Sequence, residues 1–167
     1  MWPERGWRRA RDDEGLWPPR VRGYHTLVAT THDAPYLDRE NGDVLLERRV
    51  DCLVLTTART NGGFSQDLAH KGIPHVLALR IHGDSAAALG DDRLGGYLAT
   101  RHLIDLAHQR IILIVGPSYA SRALGRRAGY EEALREAGLP IDETLIIRST
   151  FSMESGEDAG QHLPGLV

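Results

Sequence analysis

The sequence predicts an α/β fold built on parallel sheets covered by helices. Three observations carry this. Short apolar runs alternate with segments of helical period, joined by short polar links. The runs "CLVL" and "IILIV" are apolar at every position, which suits strands buried on both faces. Two helical segments also close alike. "HKGIP" and "EAGLP" each place Gly just past a helix, then an apolar residue, then Pro, and a strand follows. Gly takes the left-handed conformation there, the apolar residue packs back, and Pro prevents continuation.

The elements follow in order. "YHTLVATT" predicts a strand over Tyr24–Thr30. Asp33 is the expected N-cap of a helix reaching Arg49, with Pro35 in its first turn and Leu37, Val44 and Leu45 as its apolar stripe. A buried strand is expected over Cys52–Thr57, a short helix at "FSQDLAHKG", a strand over His75–Leu79 and a weak strand over Ala86–Gly90. A strong helix follows over Arg93–Leu106, with Leu94, Leu98, Leu103 and Leu106 on its expected buried side. Then come a strand over Arg110–Val115, a helix over Ser121–Ala137, a strand over Thr144–Ser149 and a helix starting near Met153. Residues 1–22, rich in Arg, Trp and Pro, show neither period and read as a disordered or non-native leader.

Bulk composition excludes several classes. The 167 residues are 41% hydrophobic and 26% charged, ordinary for a globular chain, and the net charge of −3 provides no global attraction to nucleic acid. Lys71 is the only lysine, so positive charge is almost all arginine. Cys52 is the only cysteine; no internal disulfide can form, and its apolar neighbours suggest a small core residue. No apolar run approaches a membrane span and the start lacks a signal-peptide core, so the expected address is the cytoplasm.

Ligands of open parallel sheets bind outside the carboxyl ends of the strands. Those ends here carry Thr56, Arg59, Arg80, Ser118, Tyr119, Ser121, Arg122, Arg126 and Phe151 among others. Hydroxyls, arginines and an aromatic suit a small polar ligand. No phosphate-cradling glycine motif occurs, and the eight histidines lack metal-ligand spacing, so neither a cofactor nor a metal is expected. Asp91 and Asp92, adjacent at a helix start, read as caps. "GPSYA" resembles a nucleophile elbow at Ser118, but Ala120 replaces the second Gly and no acid–histidine pair can be assigned, so no enzyme is expected.

One stretch, "LGDDRLGGYLATRHLIDLAHQRIILIVGPSYASRALGRRAGYEEALREAGLPID", resembles the effector-binding domain of LacI/GalR-family bacterial transcription regulators. Asp91, Gly95, Ala99, His102, Leu103, Leu106, His108, Ile111, Gly116, Pro117, Arg126, Ala128, Gly129 and Tyr130 match the family pattern in order. "LLERRVDCLVL" and "FSMESG" extend the resemblance from Gly23 to about Gly160. It implies a two-lobed, periplasmic-binding-protein-like (type I) fold with parallel sheets, ligand lying between the lobes. The expected lobes are 23–90, lacking its first strand and helix, and a partial 91–167.

The resemblance implies ligand-binding roles for Arg126 and for Phe151, the latter stacking on the bound ring, and points to Thr56, Arg122 and Ser121 as further contacts; Arg127 is expected to be solvated. It implies a sugar or nucleobase effector, a homodimer, no membrane partner, and DNA contact only through a helix-turn-helix that has no counterpart in this sequence. Departures are informative. Ala107 replaces a family Gly; if that position needs positive φ, Ala costs about 1 kcal/mol. Asp92 replaces a common Asn, and Leu79 stands where members often carry Asn or Asp. The expected function is therefore effector sensing by a segment truncated at both ends. A solute-binding module of the same fold and a remnant without function stay open; an α/β hydrolase using Ser118 is the weakest reading.

Overall fold

The computed structural model describes residues 24–161 and the backbone of Trp7–Arg9. The elements in chain order are β1 (Trp7–Arg9), β2 (Leu27–Ala29), α1 (Pro35–Glu47), β3 (Leu53–Leu55), α2 (Phe64–His70), β4 (His75–Ala78), β5 (Ala87–Ala88), α3 (Asp92–Asp105), β6 (Leu113–Val115), α4 (Ser121–Glu136), β7 (Ile146–Arg148) and α5 (Met153–Gln161). The chain divides into two units, Met1–Val50 and Asp51–Val167.

In the first unit β1 and β2 pair antiparallel, with Trp7 opposite Ala29. The three leader residues of β1 are thus a strand; the rest of the expected leader, 1–6 and 10–22, lies outside the described residues. Helix α1 starts at Pro35 with Ala34, not Asp33, at the cap and no side-chain cap bond. His32 and Asp33 both take positive φ, so the chain makes a left-handed turn before the helix and Asp33 sits one residue too early to cap it. Proline needs no donor at this position, which suits its place at the helix start.

The second unit holds two parallel sheets, β3–β4–β5 and β6–β7, on either side of Gly90–Asp91. Leu53 pairs with His75, Leu77 with Ala87, and Leu113 with Ile146. Strands β3 and β6 are shorter than their apolar runs, because a run is a strand only where a neighbour lies alongside. Leu68 of α2 and Leu77 of β4 are fully buried under the first sheet's helix cover. The core of the second is Ile111, Val115, Ala120, Ala123, Tyr130, Leu134 and Ile146. The Tyr130 hydroxyl donates to the Ile111 carbonyl at 2.9 Å, satisfying the one polar atom taken into that core. Cys52 is exposed, contrary to expectation: it precedes β3, which starts at Leu53.

Helices α1 to α4 end in one way. In each, the residue after the C-cap has positive φ: Arg49, Gly72, Ala107 and Gly138. Its N–H or the next one bonds back into the last turn, as in Ile73 N to Leu68 O, His108 N to Leu103 O and Leu139 N to Leu134 O. The two glycines were legible from "HKGIP" and "EAGLP". Ala107, at φ 66°, does occupy a left-handed position, so the strain conditional on that geometry applies.

Helix α3 does not bury the leucines expected to face the core. Leu94, Leu98, Leu103 and Leu106 are 37–59% exposed, whereas Thr100 is buried and Gly96 half-buried. The reason is close packing on α4. A Cβ at Gly96 would stand 2.2 Å from the Arg126 carbonyl oxygen, and one at Gly129 would stand 2.0 Å from that of Arg93. Two residues along a helix is a rotation of about 200°, so a face through Gly96 and Thr100 turns Leu94 and Leu98 away. Arg93 and Tyr97 close this contact from the side, with Arg93 bonded twice to Glu132 and Tyr97 to Glu136 at 2.7 Å.

Candidate ligand cleft

Within the second unit the carboxyl ends of four strands meet. The Thr60 N–H, beyond β3, donates to the Tyr119 carbonyl beyond β6 at 2.9 Å. The Arg59 guanidinium lies over the Tyr119 ring, 3.6 Å from its centroid. Beyond β4, the Ile81 N–H donates to Ser121 Oγ at 3.1 Å. Arg80 lies over the Phe151 ring, beyond β7, at 4.9 Å. Each cation on an aromatic face contributes about 0.5–2 kcal/mol, more as water is excluded.

The turn "GP" after β6 has a direct role in this arrangement. A Cβ at Gly116 would come within 2.8 Å of the Phe151 ring. Glycine therefore lets the ring lie against the end of β6, where its face meets Arg80. Phe151 is 53% exposed, so it is not a core residue.

The two arginines of α4 share one carboxylate. Arg126 Nε donates to Asp92 Oδ1 at 2.9 Å and Arg122 Nε donates to Oδ2 at 3.2 Å. The Asp92 side chain is only 16% exposed, against 32% and 50% for the arginines. Asp91 performs the capping, accepting from Leu94 N–H at 2.9 Å. Asp92 does not cap: as the first residue of α3 it turns its carboxylate toward α4. Gly125, whose added Cβ would be 3.2 Å from the Asp92 Cβ, permits that approach.

Of the sequence-predicted ligand residues, Arg122 and Arg126 in the first turns of α4 meet Asp92, Ser121 at its start meets Ile81, and Phe151, after β7, meets Arg80. Thr56 is exposed just after β3. Arg127 is not solvated as expected. It is held by Glu131 at 2.7 Å and by Glu143, tying α4 to the turn before β7. The Arg127 hydrogen bond, and more weakly that of Arg135, hold the Glu131 carboxyl below its ordinary range. Sequence reasoning placed Arg59, Arg80 and Tyr119 at strand ends without assigning them a role. It read Asp92 as a cap, although its replacement of a common Asn signalled a difference.

Among the described residues, a separate cavity of about 560 Å³ lies beside the end of α2 and the start of β4, lined by His70, His75, His82 and Asp84 among others. None of the five predicted ligand residues lines it. His75 is committed there, with Nδ1 donating to the Ile73 carbonyl and Nε2 against Ser85 Oγ. Among the described residues no group of three or more His, Cys, Asp or Glu is placed to hold a metal ion. None of the helices there is long and apolar enough to cross a membrane.

Residues 20–164 match the family described as periplasmic binding proteins and sugar binding domain of LacI family. The chain belongs to the LacI family. It is 33% identical over 150 residues to the HTH-type transcriptional regulator DegA of Bacillus subtilis, covering 84% of this chain and 44% of that protein. It is 32% identical over 145 residues to the ribose operon repressor of Escherichia coli K12, covering 85% and 44%. A solved structure of the transcriptional regulator CelR in complex with cellobiose superposes with a TM-score of 0.75 at 31% identity, over 86% of this chain and 45% of that one. This LacI-family chain thus spans about 44% of the curated relatives it matches. The resemblance read from Asp91 to Tyr130, and the periplasmic-binding-protein-like fold it implied, both stand. The named relatives are transcription regulators, not enzymes.

Proposed function

We propose that this chain is an effector-sensing segment of a LacI/GalR-type transcription regulator, binding a small polar molecule of the sugar or nucleobase class. The observation that carries this is the convergence of the carboxyl ends of β3, β4, β6 and β7, joined by Thr60–Tyr119, Ile81–Ser121 and Arg80–Phe151. In this reading the lobes are 23–90 and 91–167, and the cleft between them is the ligand site. Phe151 offers a ring face to the ligand's apolar face. Arg126 and Arg122 offer donor forks, and Ser121 and Thr56 offer hydroxyls. A regulator of this kind works by population shift. Ligand binds the closed arrangement better than the open one, and the difference is passed to a dimer and to its DNA affinity.

Isothermal titration of the chain against a panel of sugars, sugar derivatives and purine bases tests the reading. Binding by a panel member, weakened at least about tenfold by Arg126→Ala, is the expected result. Absence of binding across the panel would count against a working cleft.

A further inference from the structure

In the described chain the two sheets of the second unit are joined covalently at one place, through Gly90 and Asp91. A single crossing lets one sheet swing against the other, so non-covalent contacts decide the angle between them. Three of those contacts land on one short turn, Pro117–Ser121, between β6 and α4. The turn is closed by the Ala120 N–H donating to the Pro117 carbonyl at 3.0 Å. Ala120 is fully buried in the core under β6 and β7, which fixes the turn to its own sheet. Toward the other sheet the Tyr119 carbonyl accepts from the Thr60 N–H at 2.9 Å, and the Tyr119 ring carries the Arg59 guanidinium at 3.6 Å. Ser121 Oγ accepts from the Ile81 N–H at 3.1 Å. Helix α4 has no side-chain cap of its own, so the hydroxyl at its first residue is spent across the gap. The facing segment is a tight turn as well: Gly62 N–H donates to the Arg59 carbonyl at 3.3 Å. Two braced turns thus meet through a backbone hydrogen bond and a cation on an aromatic face. All these contacts are made by the protein itself and need no ligand between the sheets.

We propose that the Pro117–Ser121 turn is a latch. It holds the strand ends of the two sheets together before any ligand arrives, so the second unit rests in its closed arrangement. Tyr119 and Ser121 are its two catches, with Arg59 and Ile81 as their keepers. A ligand then adds to a closure already favoured, and needs less differential affinity for the closed arrangement to complete the shift. This goes beyond the reading of the cleft as a ligand site, and its test contains no ligand, so the failure of either leaves the other to be judged by itself.

The test is pulsed electron–electron double resonance on the full chain without ligand. Nitroxides are placed at Lys71→Cys beyond α2 and Arg135→Cys in the last turn of α4, both exposed, in a Cys52→Ser background. One narrow distance is expected with the latch intact. Tyr119→Ala raises the ratio of long to short distances about two- to thirtyfold, and Ser121→Ala about two- to tenfold. Arg59→Ala acts in the same direction and adds little on top of Tyr119→Ala, because the two residues act as a pair. Circular dichroism checks that each variant is folded; Arg59→Gln and Ser121→Ala carry the test if Tyr119→Ala is not. A broad distribution with the latch intact would overturn the closed resting state. Distances unmoved by Tyr119→Ala with Ser121→Ala would overturn the latch, and fully additive effects of Arg59→Ala and Tyr119→Ala would overturn the pairing of those two residues.

Discussion

Gly96 of α3 lies directly against the backbone of Arg126 on α4, with room for no side chain: an added Cβ would stand 2.2 Å from the Arg126 carbonyl oxygen and 2.8 Å from its Cα. The close approach of the two helices thus sets where Arg126 starts, and Asp92, at the head of α3, sets where its guanidinium goes. Packing and site geometry share one contact.

Gly96→Ala and Gly129→Ala are therefore expected to destabilise the chain by about 1–3 kcal/mol or more, because the clashing atoms are backbone. Gly95→Ala is the contrast. Nothing lies within 4 Å of its added Cβ, and the helix gains about 0.5–1 kcal/mol. Urea midpoints of the three variants check the opposite signs.

The shared left-handed helix ends predict stabilising changes. Ala107→Gly and Arg49→Gly each remove a Cβ from a position at positive φ and are expected to stabilise by up to about 1 kcal/mol. Gly72→Ala, at φ 65°, is expected to cost a similar amount. Thermal midpoints moving together, up for the first pair and down for the last, would support the common geometry. A fall for Ala107→Gly would contradict it.

Tyr130→Phe removes the donor to the Ile111 carbonyl and is expected to cost about 1–3 kcal/mol. Burial pushes the Tyr130 hydroxyl above the ordinary phenol range. The folded state then holds this proton more tightly than the unfolded state does. The associated stability is complete below the unfolded pKa and is lost as pH rises through the folded value. Wild type should lose stability at high pH more steeply than Tyr130→Phe in denaturation followed across the alkaline range.

The acid side has the reverse sign. Glu131 is held low chiefly by its hydrogen bond from Arg127, so its contribution is present above the ordinary carboxylate range and falls away as pH drops toward its folded value. Arg127→Gln is expected to flatten the loss of stability between about pH 5 and pH 3. An acid limb as steep as that of wild type would show that Arg127 is not the partner responsible.

The Leu stripe of α3 yields the sharpest contrast with sequence expectation. Leu98 is 55% exposed, so Leu98→Gln should change the stability of this chain by no more than about 0.5 kcal/mol. A loss of several kcal/mol would mean that the stripe is buried after all.

Much of the fold was legible because its causes are local. The all-apolar run ending at Gly116-Pro117 is a strand, but not one buried on both faces as expected: Ile114 in it is 44% exposed, as Val54 in β3 is 54% exposed. Gly72 and Gly138 end helices by their own backbone freedom, and Asp91 caps α3 from three residues away. The matched pattern from Asp91 to Tyr130 supplied the family. Other features were decided by partners far along the chain. Apolar periodicity pointed to the Leu94–Leu98 side of α3, but the opposite side was buried, because Gly96 and Gly129 allow a closer helix contact than leucines would. Asp92 looked like a second cap until folding brought it to Arg122 and Arg126, 30 and 34 residues away. The residue types at the strand ends were written in the sequence. Which of them meet depends on distances that only the packed chain sets.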